Sequence, residues 1–376
     1  MNGHRLLFVL CCSTACDLGT ASNDDDPIAG ESDGGDPSGV STHDTAGADD
    51  TGTAGADDTG TAGVDDTGTV GGDALPDSVL MYLHDDGSWA QSVHAYDVAT
   101  DQTWLVTDLG GDTQIRSLAI HPDRTTVALA AYYASATPDE SEGIWRVPVG
   151  GGTPEAIMDP IPGEGAAQDL ADLAFDHDGS EIWFTYSNEN GGSAIGRAAQ
   201  GGVPEIFGDA NAGCISTHAP SPSPTGAELL ALRDGCSDAA AEGLVAHALP
   251  PSGAGQVVVP IGDIYEFGGA PSQWSADGSA VMFVLSTRID VDGDGIYDGQ
   301  GDTLVAMDTA SGQFFEVIPA AIGQLIHRFA LSPDELGIAL CMGSANGRDL
   351  VLLDLHGESA TYRQLTDDGA SCHMAW

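Results

Sequence analysis

The sequence predicts an all-β fold, a six-bladed β-propeller whose N- and C-terminal strands share one blade, preceded by a disordered acidic linker. Three observations carry this reading. A strand–turn–strand pattern recurs at intervals of roughly 45 to 55 residues, two further strand-like runs follow each copy, and the chain ends supply complementary parts of one more copy. Composition agrees. The 51 glycines and 19 prolines ask for many turns and few long helices, and a hydrophobic content of 41% is enough for a core.

The first element is an address. Residues 1–16 read MNGHRLLFVLCCSTAC, with Arg5 as a positive start, Leu6 to Cys12 as a short apolar run, and small residues leading into Cys16. A run this short does not span a hydrocarbon core, so a cleaved signal is expected. The arrangement resembles a bacterial lipoprotein signal, which implies lipidation at Cys16. Ser13 stands where that pattern usually has Leu, which leaves Cys11 and Cys12 as alternatives and an ordinary secretory signal as another reading.

The second element, residues 17–77, holds 16 acidic residues and no basic one. Three eight-residue units begin at Asp49, Asp57 and Asp65, reading DDTGTAGA, DDTGTAGV and DDTGTVGG. Their apolar side chains are too small to offset the entropy of ordering, so a disordered tether is expected. A flexible chain of that length has an end-to-end distance of about 43 Å, and self-repulsion extends it. The units lack the spacing of calcium-binding β-roll repeats.

The third element, residues 78–376, carries the repeats. The copies are SLAIHPDRTTVALAA from Ser117, DLAFDHDGSEIWFTY from Asp172, SPSPTGAELLALR from Ser221, SQWSADGSAVMFVLS from Ser272 and RFALSPDELGIALC from Arg328. Ser or a stand-in, then Pro, then Gly at the fourth place is the chemistry of a type I turn. Asp178–Gly179 and Asp277–Gly278 are hairpin signals between β-rich runs. Two more strand-like runs follow, as in 143–149 and 154–158, which makes four strands per repeat. The folded part opens on three strands without a first, and SCHMAW at the chain end is a first strand without the rest. Joined, they complete a blade and remove the exposed edges of an open array.

Trp274–Gly278, Ser332–Asp334, Asp354 and Gln364–Thr366 resemble the repeat of the TolB-type propeller family. That repeat runs Trp-Ser-Pro-Asp-Gly, a strand ending in Asp, then Leu-Thr, and the resemblance covers essentially the whole chain after the tether. Pro224–Gly226 lacks the Asp, and Asp334–Leu336 lacks the turn Gly. The family includes periplasmic scaffold proteins, sugar-polymer lyases and peptidase propeller domains. The resemblance therefore implies architecture, and chemistry has to come from a site.

Residues 290–298 read DVDGDGIYD, the first nine positions of a calcium loop. Asp290, Asp292, Asp294 and Asp298 supply carboxylates, Gly295 the sharp turn, and Ile296 a backbone carbonyl. The twelfth position is Gly301, with Asp302 one step later, so the bidentate ligand of the full loop is missing. A structural Ca²⁺ between the second and third strands of its blade is expected, against an unliganded acidic turn. Cys214, Cys236, Cys341 and Cys372 form an even set in an exported chain, consistent with disulfides Cys214–Cys236 and Cys341–Cys372 or with buried free thiols.

First strands line a propeller's channel, so Arg116, His218, His327, Arg328 and His373 are candidate channel-lining residues. His373 falls one register step off the other two histidines, which in a strict strand turns it to the opposite side. In the lyase branch of the resembled family, channel histidines hold a catalytic metal.

Ten basic against 58 acidic side chains, a formal charge of −48, argue against nucleic acid as a partner. All ten basic residues are arginine. No His-Glu-x-x-His helix or phosphate loop is present, and the Gly-x-Ser-x-Gly string at Gly30–Gly34 falls in the acidic linker, not at a strand-to-helix elbow. The expectation is a non-catalytic, monomeric envelope lipoprotein that touches the membrane through its lipid and binds an envelope or extracellular protein or glycan. The alternatives are a propeller enzyme, such as a metal-dependent polysaccharide lyase using His218 and His327, and a structural surface protein.

Overall fold

The computed structural model describes residues 74–376 apart from the stretches 86–90, 111–112, 134–141, 159–168, 188–191, 208–213, 252–254, 261–264, 268–269, 291–298, 345–346, 356–359, 367–368 and 370–372. The chain separates into two units, Met1–Gly68 and Thr69–Trp376. Cys16 and the acidic repeats lie outside the described residues. Packing in the second unit starts ahead of residue 78, because Leu75 is buried against the first two sheets.

Among the described residues, a short 3₁₀ turn at Ala239–Ala241 is the one helical element; the rest is strand and turn. The chain opens with β1 (Val79–Asp85), β2 (Gln91–Asp97) and β3 (Gln102–Asp108), paired antiparallel in that order. β4 (Thr113–Ile120), β5 (Thr126–Tyr133), β6 (Glu142–Pro148) and β7 (Glu155–Met158) form the next meander. β8 (Asp169–Phe175), β9 (Glu181–Ser187), β10 (Ser193–Ala199) and β11 (Glu205–Phe207) follow. Next come β12 (Ser216–Pro222), β13 (Glu228–Asp234), β14 (Gly243–Ala248) and β15 (Gln256–Pro260). One parallel pairing, Ser193 with Ser216, joins those two meanders.

β16 (Tyr265–Phe267) and β17 (Gln273–Trp274) both pair with β18 (Ala280–Ile289), which continues to β19 (Gly299–Asp308) and β20 (Phe314–Ile318). β21 (Leu325–Leu331), β22 (Gly337–Ser344), β23 (Gly347–Asp354) and β24 (Thr361–Gln364) make a further meander. The last strand, β25 (Met374–Ala375), returns to the first and pairs antiparallel with β1, Met81 opposite Ala375 and Tyr82 opposite Met374. Leu83 N–H donates to the His373 carbonyl at 2.8 Å and the Trp376 indole to the Asp77 carbonyl at 2.8 Å. The sheet order β25–β1–β2–β3 therefore uses both ends of the folded unit.

The core lies between successive sheets. One cluster packs Met81, Val93 and Ile115 from β1, β2 and β4, and another packs Leu80 and Met374 against Leu340's neighbours Ala339 and Cys341 of the last meander. The second strands read EIWFTYS in β9 and ELLALRD in β13 and are buried almost end to end, since a neighbouring sheet covers each face. The outermost strands β11 and β24 are largely exposed. Each large side chain buried between sheets contributes about 1.5–3 kcal/mol, so the sandwiching of sheets is the main source of stability.

The turns between first and second strands share one construction. In the β17–β18 turn, Gly278 N–H donates to the Ser275 carbonyl at 2.9 Å, and Ala280 N–H donates to Ser275 Oγ at 2.9 Å. The fourth turn residue has positive φ in every copy: Gly179, Gly226 and Gly278, but also Arg124 and Glu335, both at 59°. The lost glycine at Glu335 thus leaves the backbone unchanged.

Candidate functional site

The first strands are not regular. Their pairing with the second strands slips between Ile115 and Ser117, Ala171 and Ala174, His218 and Ser221, and Ile326 and Arg328. Each slip is a bulge, which frees backbone groups and re-aims side chains. The freed N–H groups are taken up by side chains of the preceding meander. Leu173 N–H donates to Ser117 Oγ at 3.0 Å, Ala219 N–H to Thr185 Oγ1 at 2.8 Å, and Ile326 N–H to Asp302 Oδ2 at 2.7 Å. Gln273 acts like a short strand against β21, accepting from Leu331 N–H at 3.0 Å and donating to the Phe329 carbonyl at 3.1 Å.

These strands surround a cavity of about 360 Å³ that draws its walls from β4, β8, β12, β17, β21 and β25 and from the turns beyond them. Its inner end carries Arg328 and His373; its mouth carries His177, Pro224, Ala276 and Glu335. At the inner end, Arg328 Nη2 lies 2.8 Å from Asp172 Oδ1, with the two side chains only 19% and 11% exposed. The pair joins β21 to β8, strands on opposite sides of the cavity. Thr185 Oγ1 donates to Asp172 Oδ2 at 2.9 Å while accepting from Ala219 N–H, so one hydroxyl holds both neighbours. Asp172 and Ala219 adopt φ of 49° and 55°, a conformation that non-glycine residues rarely hold unless surrounding contacts fix it.

Electrostatics follow from this packing. Burial alone would raise the Asp172 pKa, but the Arg328 guanidinium, the Thr185 hydroxyl and His218 outweigh it and hold the carboxyl below its usual value. His373 is pushed down to about 3, by burial first and then by Arg328 and Arg348, with Asp172 opposing. It is therefore neutral at physiological pH. His327 is lowered by burial and Arg348, against Asp302.

Of the residues expected to line the channel, Arg328 and His373 border the cavity. Strict alternation set His373 on the side opposite His218 and His327, and of the three histidines His373 is the one that borders the cavity. Arg116 sits on the β4 bulge with its Nε 3.7 Å from Glu142 and its guanidinium 5.9 Å from the Tyr132 ring. His218 Nδ1 lies 3.7 Å from Asp234 Oδ2, and His327 Nε2 is buried without a hydrogen-bond partner. His218, His327 and His373 do not gather as metal ligands among the described residues. The grouping that could take a metal ion there is Asp176, His177 and Asp178, with ligand atoms within 4.8 Å of one another. Their carboxylates are already engaged in the turn, with Ser180 and Glu181.

Sequence reading missed Asp172, Thr185 and Gln273. Counting back four residues from each turn start places Asp172 and Arg328 in one column, before Asp176 and Ser332, and that alignment would have exposed the pair. Asp290 closes the end of β18, and 291–298, including Asp292, Asp294, Ile296 and Asp298, lie outside the described residues between β18 and β19. Cys214 and Cys236 are disulfide-bonded. Cys341 is also disulfide-bonded; its expected partner Cys372 lies outside the described residues.

No family model matches the chain, and no curated protein matches it in sequence. Among solved structures, TolB from Acinetobacter baumannii is similar at a TM-score of 0.56 and 18% identity, over 80% of this chain and 66% of that one. This chain thus spans about two thirds of that protein's length. A TolB from Agrobacterium tumefaciens gives 0.51 and 14%, over 76% of this chain and 89% of that one. An oligogalacturonate lyase in complex with manganese gives 0.50 and 10%, over 76% and 73%. The likeness shows the fold: a TolB-type β-propeller. It does not choose between binding proteins and enzymes, since both kinds share it.

Proposed function

We propose that this chain is a cell-envelope binding protein whose axial cavity receives part of a partner. The supporting observation is the cavity itself: first strands from all around the molecule converge on it, and the Arg328–Asp172 pair bars its inner end. A well-formed cleft with a few convergent polar groups is the default binding site of such a fold. Arg328, which borders the cavity, and Arg348, which together with it depresses His373, oppose a metal at this histidine. That weighs against the lyase-like alternative at this point of the channel.

The same reading has six blades, because the cavity takes one segment each from β4, β8, β12, β17, β21 and β25. The disulfide Cys214–Cys236 and the TolB-type fold suit an exported or envelope protein, as thiols stay reduced in the cytosol. On the sequence alone rest lipidation at Cys16, a structural Ca²⁺ in the Asp290–Asp298 loop and a monomeric state. Calcium at ten times its Kd would stabilise the domain by about 1.4 kcal/mol, and Asp290→Asn with Asp294→Asn would remove that response.

The partner test is a pull-down from native envelopes using the wild-type chain and Ala276→Trp, which fills the mouth from an exposed turn position. A partner held by the wild type and lost by the variant is the expected result. Equal capture by both would place binding elsewhere on the surface and sink the cavity reading.

A further inference from the structure

The cavity wall has an unusual hydrogen-bonding polarity. Pro220, Pro222, Pro224, Pro271 and Pro333 border it, and proline brings a carbonyl but no N–H. Five wall positions thus offer only acceptors. Ser272 lines the same wall, is 2% exposed, and its hydroxyl has no hydrogen-bond partner. His373 Nδ1 is likewise buried without a partner. A buried polar atom left unmatched costs about 1–3 kcal/mol, so a group that satisfies these atoms gains by entering.

The mouth adds charge. Glu335 borders it, and Asp178, Asp277 and Asp334 sit in the adjoining turns. The chain as a whole carries −48, which repels an anionic ligand and concentrates a cationic one at a cleft. The one cation bordering the cavity, Arg328, is bound to Asp172. The molecule thereby shows that a guanidinium fits at this axis, with a carboxylate and carbonyl-rich walls around it.

We propose that the axial cavity is a receptor for a cationic, donor-rich group, the side chain of an arginine or lysine on an extended peptide segment of the partner. This rests on the cavity reading above and adds the chemistry of what enters. A neutral glycan presents hydroxyls that both donate and accept, and it gains nothing from the acidic mouth. An acidic peptide is repelled by it.

The test uses the full chain and three capped pentapeptides, Ala-Ala-Xaa-Ala-Ala, with Xaa as Arg, Gln or Glu, measured by calorimetry at low salt. The Arg peptide should bind at least about tenfold more tightly than the Gln peptide, and the Glu peptide should not bind, since charge-assisted hydrogen bonds are roughly twice as strong as neutral ones. Ala276→Arg, which places a competing cation at the mouth, should weaken the Arg peptide by about tenfold or more. Ser272→Ala, a milder change that keeps the fold, should weaken it about threefold. Equal affinity for Arg and Gln peptides, no binding of the Arg peptide at millimolar concentration, or an Arg peptide indifferent to both variants would each overturn the proposal. The last result would mean that cations adhere to the acidic surface at large. Envelope capture that is still lost in Ala276→Trp would then leave the cavity as a binding site for a ligand of other chemistry. Capture indifferent to Ala276→Trp would remove the cavity reading itself.

Discussion

Among the described residues, positive φ at a non-glycine residue occurs in turns, Asp101 between β2 and β3 being one, and at the axis. The turns between first and second strands are held by different means from the axis. In the turns, Arg124 and Glu335 take the place filled elsewhere by Gly179, Gly226 and Gly278. The left-handed conformation there belongs to the turn, and its own backbone bonds would form whatever the residue. At the axis, Asp172 and Ala219 sit in strand bulges, where no local rule asks for φ of 49° or 55°. Thr185 and Arg328, distant in sequence, hold them. Local geometry therefore sets the turns, and tertiary contact sets the axis.

The largest effect should come from breaking the axis. Asp172→Ala leaves Arg328 without its carboxylate in a nearly closed site, and removal of one member of a buried pair costs about 3–5 kcal/mol. Chemical denaturation of the variant measures it. Adding Arg328→Met should recover most of the loss, because the uncompensated charge goes with it. A single variant that unfolds like the wild type would show that the axis is set by the bulges alone.

Thr185→Val is the next step down. It keeps the volume and removes the hydroxyl that donates to Asp172 and accepts from Ala219 N–H. One buried N–H is then unmatched, for a loss of about 1–3 kcal/mol. Thr125→Val, at an exposed turn hydroxyl bound only to Asp123, should change stability far less. Equal losses in the two variants would erase the distinction between the regions.

That distinction also explains what the sequence could tell. Strand alternation, the Ser–Pro–Asp–Gly turns and the split last blade are local or periodic signals, and they place the strands, the turns and the β25–β1 pairing. The Cys214–Cys236 bridge was legible because the two cysteines flank one hairpin, just before β12 and just after β13. The Arg328–Asp172 pair spans 156 residues and depends on bulges, which carry no composition mark of their own. Alternation did separate His373 from His218 and His327, and of the three it is His373 that borders the cavity. The cavity's acceptor-rich wall was visible as scattered prolines, but only the fold brings them to one place.

His373 gives the axis a pH dependence. Its pKa is lowered to about 3 in the folded state, below the unfolded value near 6.5. The unfolded chain therefore binds more protons between these values, so stability is full above pH 6.5 and falls as pH drops toward 3. Asp172, also lowered, adds a loss that sets in only below its unfolded value near 4. His373→Gln should flatten the melting temperature between pH 6.5 and about 4.5 while leaving the steeper loss below it. A slope unchanged by His373→Gln would assign the upper window to another histidine.

The smallest effect belongs to the turns, and it is the sharpest comparison because the backbone is the same in both. Arg124 and Glu335 have identical φ of 59°, but their side chains differ in what they hold. Arg124 donates to the carbonyls of Leu75, Pro76 and Val79 at 3.0, 2.8 and 2.9 Å, tying the start of the folded unit to the β4–β5 turn. Glu335 accepts one bond, from Ala276 N–H at an exposed turn. Glycine relieves about 1–2 kcal/mol of left-handed strain in either place. Against this stand the greater unfolded-state entropy of glycine, about 0.4–1 kcal/mol, and the bonds lost. For Glu335→Gly the lost bond is worth about 0.5–1.5 kcal/mol, so the change should lie within about 1 kcal/mol of zero. For Arg124→Gly three charge-assisted bonds go, and the variant should be destabilised clearly beyond that margin. Thermal melts of the two variants side by side decide it. If Arg124→Gly proved as neutral as Glu335→Gly, the anchoring of residues 75–79 would rest on the burial of Leu75 and not on this side chain.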